Sequence, residues 1–224
     1  MIQVKDLTLT HRKDLRELAV DFSFVINDGD KAAIIGEEGN GKSTLLKWVY
    51  DPGLIESYCE WSGELAGDPG RLGYLAQDLG EEEKAGSVYD FCAASPDFFD
   101  MTPKELADIA RQLRFPAEEF YSDRPVASLS GGERIKLQLG RLLFSRPAAL
   151  LLDEPSSDLD LETLEWLEDF IGRFPGSVLY ISHDETLIEN TATMVLHMEH
   201  PREGKPPRCT AHRLDYSTYI SRRT

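Results

Sequence analysis

"GEEGNGKST", residues 36–44, fits the pattern G-x-x-x-x-G-K-[ST] from Gly36 to Ser43. In such a loop consecutive backbone N–H groups hold a phosphate, and the positive end of the following helix reinforces them. Glycines let that backbone close in. Lys42 reaches the β- and γ-phosphates, and the Ser43 hydroxyl is a ligand for Mg²⁺. The pattern requires a strand before it and a helix after it. "KAAIIG" reads as a short buried strand ending on Gly36, and "STLLKWVYD" as a helix stopped by Pro52. The same loop carries Glu37 and Glu38, in a chain of formal net charge −16. Backbone amides do the holding, so these side chains are expected to face solvent, where screening weakens their repulsion of a polyanion.

A second element, "LLLDEP" at 150–155, reads as a buried strand delivering Asp153 and Glu154 to its carboxyl end. Nucleotide sites in open α/β sheets form there. Asp153 is expected to hold Mg²⁺ and Glu154 to orient or deprotonate an attacking water. A third element, "LSGGE" at 129–133, has a plain structural explanation in part, because Ser130 and Glu133 form a capping box. Capping does not explain the adjacent Gly131 and Gly132 at a helix start, where helix propensity is poor. Bare backbone amides plus a serine there are expected to make a second anion site. One nucleotide needs one cradle, so the second would serve a nucleotide bound by another domain.

The surroundings agree with an α/β enzyme. At 224 residues the chain has room for one large domain or a domain with a subdomain. The opening residues alternate through Ile2, Val4, Leu7 and Leu9 and continue into "LAVDFSFVI", which reads as an antiparallel hairpin. "EWSGELAGDPGRLGYLAQ" reads as short strands and turns, "EEEK" as a solvated turn, and "SVYDFCAAS" as a short helix. "TPKELADIARQL" reads as a helix with Thr102 as cap, Pro103 at the first position and Glu105 closing a capping box. Helices follow at "SGGERIKLQLGRLLFSRP" and "LDLETLEWLEDFI", and "SVLYISHD" reads as the final buried strand. Strands alternating with helices imply a parallel sheet. The expected division is 1–78 and 141–200 as the two parts of the nucleotide-binding core, 79–140 as an inserted helical subdomain, and 201–224 as a basic tail. That tail holds six Lys/Arg against two Asp/Glu.

Charge and composition narrow the partners. Strong acidity argues against indiscriminate binding to DNA or anionic membranes. Three separated cysteines show no metal or redox spacing, which suits reduced thiols in a cytoplasmic protein. "MIQVKDLTLT" has no signal-peptide pattern, and "AALLL" is far too short to cross a bilayer. Work at a membrane would need a span from another chain.

The ordered set "GEEGNGKST", "YLAQD", "LSGGE", "LLLDEP", "SSDLD" and "ISHD" resembles the ATP-binding cassette (ABC) ATPases over nearly the whole chain. The resemblance implies a P-loop NTPase of ABC type, with a largely parallel core, an N-terminal antiparallel β-subdomain and an inserted helical subdomain. It implies ATP and Mg²⁺ as cofactors, with Gly36, Gly39, Asn40, Gly41, Lys42, Ser43 and Thr44 around the nucleotide. It implies that Gln77 links Mg²⁺ and water to the helical part, that His183 senses the γ-phosphate, and that Asp160 acts across a dimer interface. Ser130, Gly131 and Gly132 would complete a partner's site in trans, so the isolated chain is expected to be largely monomeric and to hydrolyse ATP slowly without a second cassette.

Within that superfamily "LDLETLEWLEDFIGRFPGSVLYISHDETLIEN" and the closing "DYSTYISRR" resemble the first cassette of ABC-F proteins. These lack membrane domains, and characterised members act on ribosomes in translation or antibiotic protection. The chain ends where their inter-cassette linker begins, which suggests a fragment or a natural half. The other reading is the ATPase subunit of a transporter, docked on separate membrane subunits near Gln77. The sequence departs from the family in having Ser156, Ser157 and Asp158 where Thr-Asn-His is usual. It also has no evident adenine-stacking aromatic near "LTLTHRKDL", where only His11 stands, so weak discrimination between ATP and GTP is expected.

Overall fold

The structure, a computed structural model, describes residues 1–67, 70–200 and 206–223. Strands β1 (Ile2–His11), β2 (Glu17–Ile26), β3 (Lys31–Ile35), β4 (Cys59–Ala66) and β5 (Leu72–Leu75) make the first third, with helix α1 (Lys42–Tyr50) after β3. Helices α2 (Glu81–Ala85), α3 (Val88–Ala93), α4 (Pro103–Leu113) and α5 (Gly131–Phe144) follow. The chain then alternates through β6 (Ala149–Asp153), α6 (Leu161–Arg173), β7 (Ser177–Ile181), α7 (Glu185–Thr191) and β8 (Met194–Glu199), and closes with β9 (Arg208–His212) and α8 (Tyr216–Arg223).

Two sheets result. β2-β1-β4 is antiparallel, and the six-stranded sheet runs β5-β6-β7-β3-β8-β9. The latter is parallel except for β9, which pairs antiparallel with β8. Its central strands are buried on both faces and so read as unbroken apolar runs. Alternate residues serve different cores. Ala33, Leu150, Leu152, Val178 and Tyr180 face a core shared with α3 to α7. Ala32, Ile34, Leu151, Leu179 and Ile181 face a second core with α1 and the antiparallel sheet. The helical segment therefore packs into the same core as the sheet it interrupts, which ties its position to that of the sheet.

Three readings are corrected here. "EEEK" is the helix α2 rather than a turn: Glu83 accepts from the Gly80 N–H at 3.2 Å, and Arg141 reaches Glu83 at 2.7 Å from α5. "SVLYISHD" is not the last strand, because β8 and β9 follow it. The sequence "MVLHME" hid β8 behind His197, which is 8% exposed and shares a 3.0 Å hydrogen bond with the Tyr219 hydroxyl of α8. Finally, the segment from 201 is not all tail, since Arg208–His212 extends the core sheet; residues 201–205 lie outside the described residues.

Candidate nucleotide site

The loop after β3 turns on glycines that no other residue could replace without movement. Gly36 lies at φ +149°, and a Cβ there would stand 2.2 Å from the Met198 carbonyl oxygen of β8. Gly41 caps α1 in the left-handed region, at φ +85°, against Leu18. Asn40 is buried and donates from Nδ2 to the same Met198 carbonyl at 3.0 Å, so its side chain fastens the loop to β8. Lys42 Nζ donates to the Gly36 and Glu37 carbonyls at 2.8 and 2.9 Å. Burial pulls its pKa down, and the charges of Glu154, Glu38 and Asp153 oppose that shift.

Beside the loop lies a cleft of about 860 Å³. Gly39, Gly41, Lys42, Ser43, Thr44, Gln77, Glu154 and His183 all line it. Chain positions more than a hundred residues apart thus converge because β3, β6 and β7 are neighbours, with their carboxyl ends at one edge. Asp153, the last residue of β6, is 2% exposed and accepts a 3.0 Å hydrogen bond from Ser43 Oγ. Burial raises its pKa, with the Ser43 bond acting against the rise. Glu154, the next residue, sits at φ +51°. This left-handed conformation is costly for a non-glycine residue, and the Glu154 N–H donates to the Ile181 carbonyl at 3.1 Å, continuing the β6–β7 ladder by one bond. Its Oε1 is 3.2 Å from His183 Nε2, and burial raises its pKa despite that neighbour.

These residues suit the groups the sequence implies. A hard divalent cation such as Mg²⁺ takes oxygen donors, commonly one or two carboxylates with phosphate and water making up the rest. Ser43 and Asp153 supply a hydroxyl and a carboxylate side by side, and no cluster of three or more His, Cys, Asp or Glu ligands competes elsewhere among the described residues. The left-handed glycines and the start of α1, which borders the cleft, suit a polyphosphate. Glu37 and Glu38 are both exposed, but Glu38 still forms part of the cleft rim.

The remaining expected residues lie elsewhere. Ser130, Gly131, Gly132 and Asp160 are absent from the cleft lining. Ser130 caps α5, accepting from the Glu133 N–H at 3.1 Å, while Arg124 grips Glu133 with two bonds of 2.8 and 3.1 Å. These contacts hold the Glu133 carboxyl at about 2. Asp160 caps α6 through a 2.8 Å bond from the Thr163 N–H, which lowers its pKa. The two glycines gain a reason the sequence did not supply. A Cβ on Gly131 would meet the Asp158 carbonyl oxygen at 2.9 Å, and one on Gly132 would meet Thr163 Oγ1 at 2.5 Å. They let the start of α5 lie flush against the start of α6.

Three cleft residues escaped the sequence reading. Arg16, just before β2, donates to the Gly39 carbonyl at 3.1 Å. Leu18 backs Gly41. Tyr58, just before β4, lines the cleft with His11, their rings 6.4 Å apart. Only the β1–β4 pairing, which sets His11 opposite Cys59, brings that tyrosine to the site.

The ABC transporter family model matches residues 20–157. The chain is 35% identical over 188 residues to the ATP-binding protein Uup of Escherichia coli, covering 80% of this chain and 27% of that one. It is 33% identical over 199 residues to the putative ATP-binding protein YdiF of Bacillus subtilis, covering 88% of this chain and 29% of the other. It is 33% identical over 207 residues to the energy-dependent translational throttle protein EttA of E. coli, covering 92% and 36% respectively. The chain thus spans roughly a third of the length of these relatives. Among solved structures, the ATP-binding cassette MJ0796, in a dimeric post-hydrolysis state bound to ADP and Pi, superposes with a TM-score of 0.68. The identity is 20%, over 92% of this chain and 98% of that one, so the likeness is one of fold.

Proposed function

The chain belongs to the ABC transporter family of ATP-binding cassettes, and on that premise we propose that it binds Mg²⁺–ATP in the cleft and hydrolyses it once a second cassette closes over the site. The observation that carries the reading is the convergence of Lys42, Ser43, Asp153, Glu154 and His183 at the carboxyl edge of one sheet. Mg²⁺ would be held by Ser43 and Asp153 and would supply charge stabilisation to the phosphates. Phosphoryl transfer to water needs mainly positioning and charge stabilisation. Lys42 and the loop amides orient the phosphates. Glu154, with a raised pKa, takes the proton of the attacking water, and His183 holds the Glu154 carboxylate in line. Gln77, which lines the cleft after β5, reports the state of the site to α2 and the helical part.

Ser130, Gly131, Gly132 and Asp160 lie outside the cleft, and this supports their acting on a partner's nucleotide. The partner is a second cassette, in the same longer polypeptide or in another copy. Likeness to Uup and EttA supports an ABC-F protein working in the cytoplasm on the ribosome, where cassette closure is the mechanical output. Among the described residues no helix is long and apolar enough to cross a membrane.

The test pairs the Glu154→Gln chain, loaded with Mg²⁺–ATP, with purified ribosomes and with the matching second cassette. The ABC-F reading expects ATP-dependent co-sedimentation with ribosomes. Co-purification with polytopic membrane subunits and no ribosome binding would establish the transporter reading instead.

A further inference from the structure

The helical part carries an exposed aromatic face that the nucleotide chemistry does not use. α3 and two short turns, Pro96–Asp100 and Ala117–Tyr121, meet on it. The Tyr89 N–H bonds the Ser122 carbonyl at 3.0 Å, which locks α3 to the second turn. Phe99 is 64% exposed, Tyr121 60% and Tyr89 37%. Tyr89 and Tyr121 stack with centroids 6.4 Å apart, and Phe99 joins them through the shared Phe98 ring; grouped exposed rings of this kind mark an interaction site where a lone exposed ring would not.

The rings are held in place rather than loose. Phe98, 4% exposed, lies beneath them, with its centroid 5.6 Å from Phe99, 5.4 Å from Tyr121 and 6.3 Å from Tyr89. Phe98 in turn stands 5.1 Å from Phe144 of α5. A partner would therefore meet rigid rings and lose little conformational freedom to them.

The charge around the rings is one-sided. α3, the first turn and residues 117–123 carry Asp90, Asp97, Asp100, Glu118, Glu119 and Asp123, and no lysine or arginine. Asp97 is paired with Arg71 at 3.0 Å, and Asp90 bonds Ser87. The nearby Arg124 is turned away onto Glu133. Asp100, Glu118 and Asp123 are exposed at the rim. Aromatic faces attract cations, guanidinium more readily than ammonium, and the carboxylates add forked hydrogen bonds. The same rim repels phosphates, which excludes a nucleic-acid strand stacking on the rings.

We propose that this face binds an arginine-rich segment of another polypeptide. The claim does not depend on nucleotide turnover. The probe is fluorescein-labelled octa-arginine, titrated with the full chain near physiological salt, with octa-lysine and an octameric oligo(U) as companions. Octa-arginine should bind more tightly than octa-lysine, and oligo(U) should not bind. Phe99→Ser with Tyr121→Ser leaves the net charge unchanged, yet should weaken octa-arginine binding by about fivefold or more. Asp100→Asn with Asp123→Asn, a pair that leaves the rings intact, should weaken it too. Glu162→Gln with Glu165→Gln removes as much charge from α6, remote from the rings, and should change binding by less than about twofold. The proposal is overturned if the aromatic pair binds like the unmodified chain while the rim pair matches the α6 pair. It is also overturned if oligo(U) binds and is lost with the aromatic pair, or if the face instead drives self-association that the aromatic pair abolishes.

Discussion

Ser43 Oγ donates a 3.0 Å hydrogen bond to Oδ1 of Asp153, joining the first turn of α1 to the end of β6 across 110 residues of chain. The bond places a hydroxyl and a buried carboxylate at one point beside the phosphate loop. Asp153→Asn keeps the size of the side chain and removes its charge. It should weaken nucleotide binding about tenfold or more when Mg²⁺ is present, since hydrogen bonds and ligation by charged groups are worth on the order of 1.5–3 kcal/mol. Binding in EDTA should change little. Titration with a fluorescent ATP analogue under both conditions checks this, and an equal loss in both would leave Asp153 a purely structural role.

Glu154→Gln should bind ATP as the unmodified chain does and hydrolyse it ~10²–10⁴-fold more slowly, the usual contribution of a positioned base. A turnover assay with the second cassette present measures it. The pH dependence follows from the direction of the shift. Burial raises the Glu154 pKa, so the stabilising contribution of this group is full at low pH and lost as pH rises through the raised value. At neutral pH the buried charge therefore costs stability. The glutamine variant should melt higher than the unmodified chain at about pH 7.5, and the gap should close as pH falls toward about 4, the ordinary carboxylate range. Melting curves at several pH values that run parallel would contradict the assigned burial.

Gly132→Ala tests why α5 begins with glycines. Alanine improves helix propensity, yet its Cβ would meet Thr163 Oγ1 at 2.5 Å. Overpacking of this kind should destabilise by about 1–3 kcal/mol. Adding Thr163→Ala removes the obstructing atoms and should restore most of the lost stability, giving a favourable coupling in a double-mutant cycle. Stability restored without ATPase activity would assign the glycines a phosphate-binding role beyond packing.

His11 and Tyr58 are the aromatic rings of the cleft. Stacking on either ring does not distinguish the purines, so ATP and GTP should compete within about tenfold, or 1.4 kcal/mol. Tyr58→Ala should lower affinity for both alike, by an amount on the order of the 1–3 kcal/mol of a base–aromatic stack. Competition titrations that show loss for ATP alone would reveal a base-reading contact through the Tyr58 hydroxyl.

Much of this protein was legible in its residues taken in order. The loop from Gly36 to Ser43 follows from local geometry, because only glycine accepts the backbone it needs and only a helix start aligns the amides. The parallel sheet follows from apolar runs such as "ALLLD" and "SVLYI", and the helix at Pro103 from a cap, a proline and a capping box within four residues. The local rules miscarried at α2 and β8. Glu83 of α2 is held by Arg141, far along the chain, and β8 carries the buried, bonded His197 in its middle. Only the tertiary structure decided which residues share the cleft. The order of strands brings Glu154 to His183 and Tyr58 to His11, and no spacing along the chain encodes those pairs. It also revealed a packing demand on the glycines at 131 and 132, since close approach to Asp158 and Thr163 is a property of two surfaces meeting, absent from either segment alone.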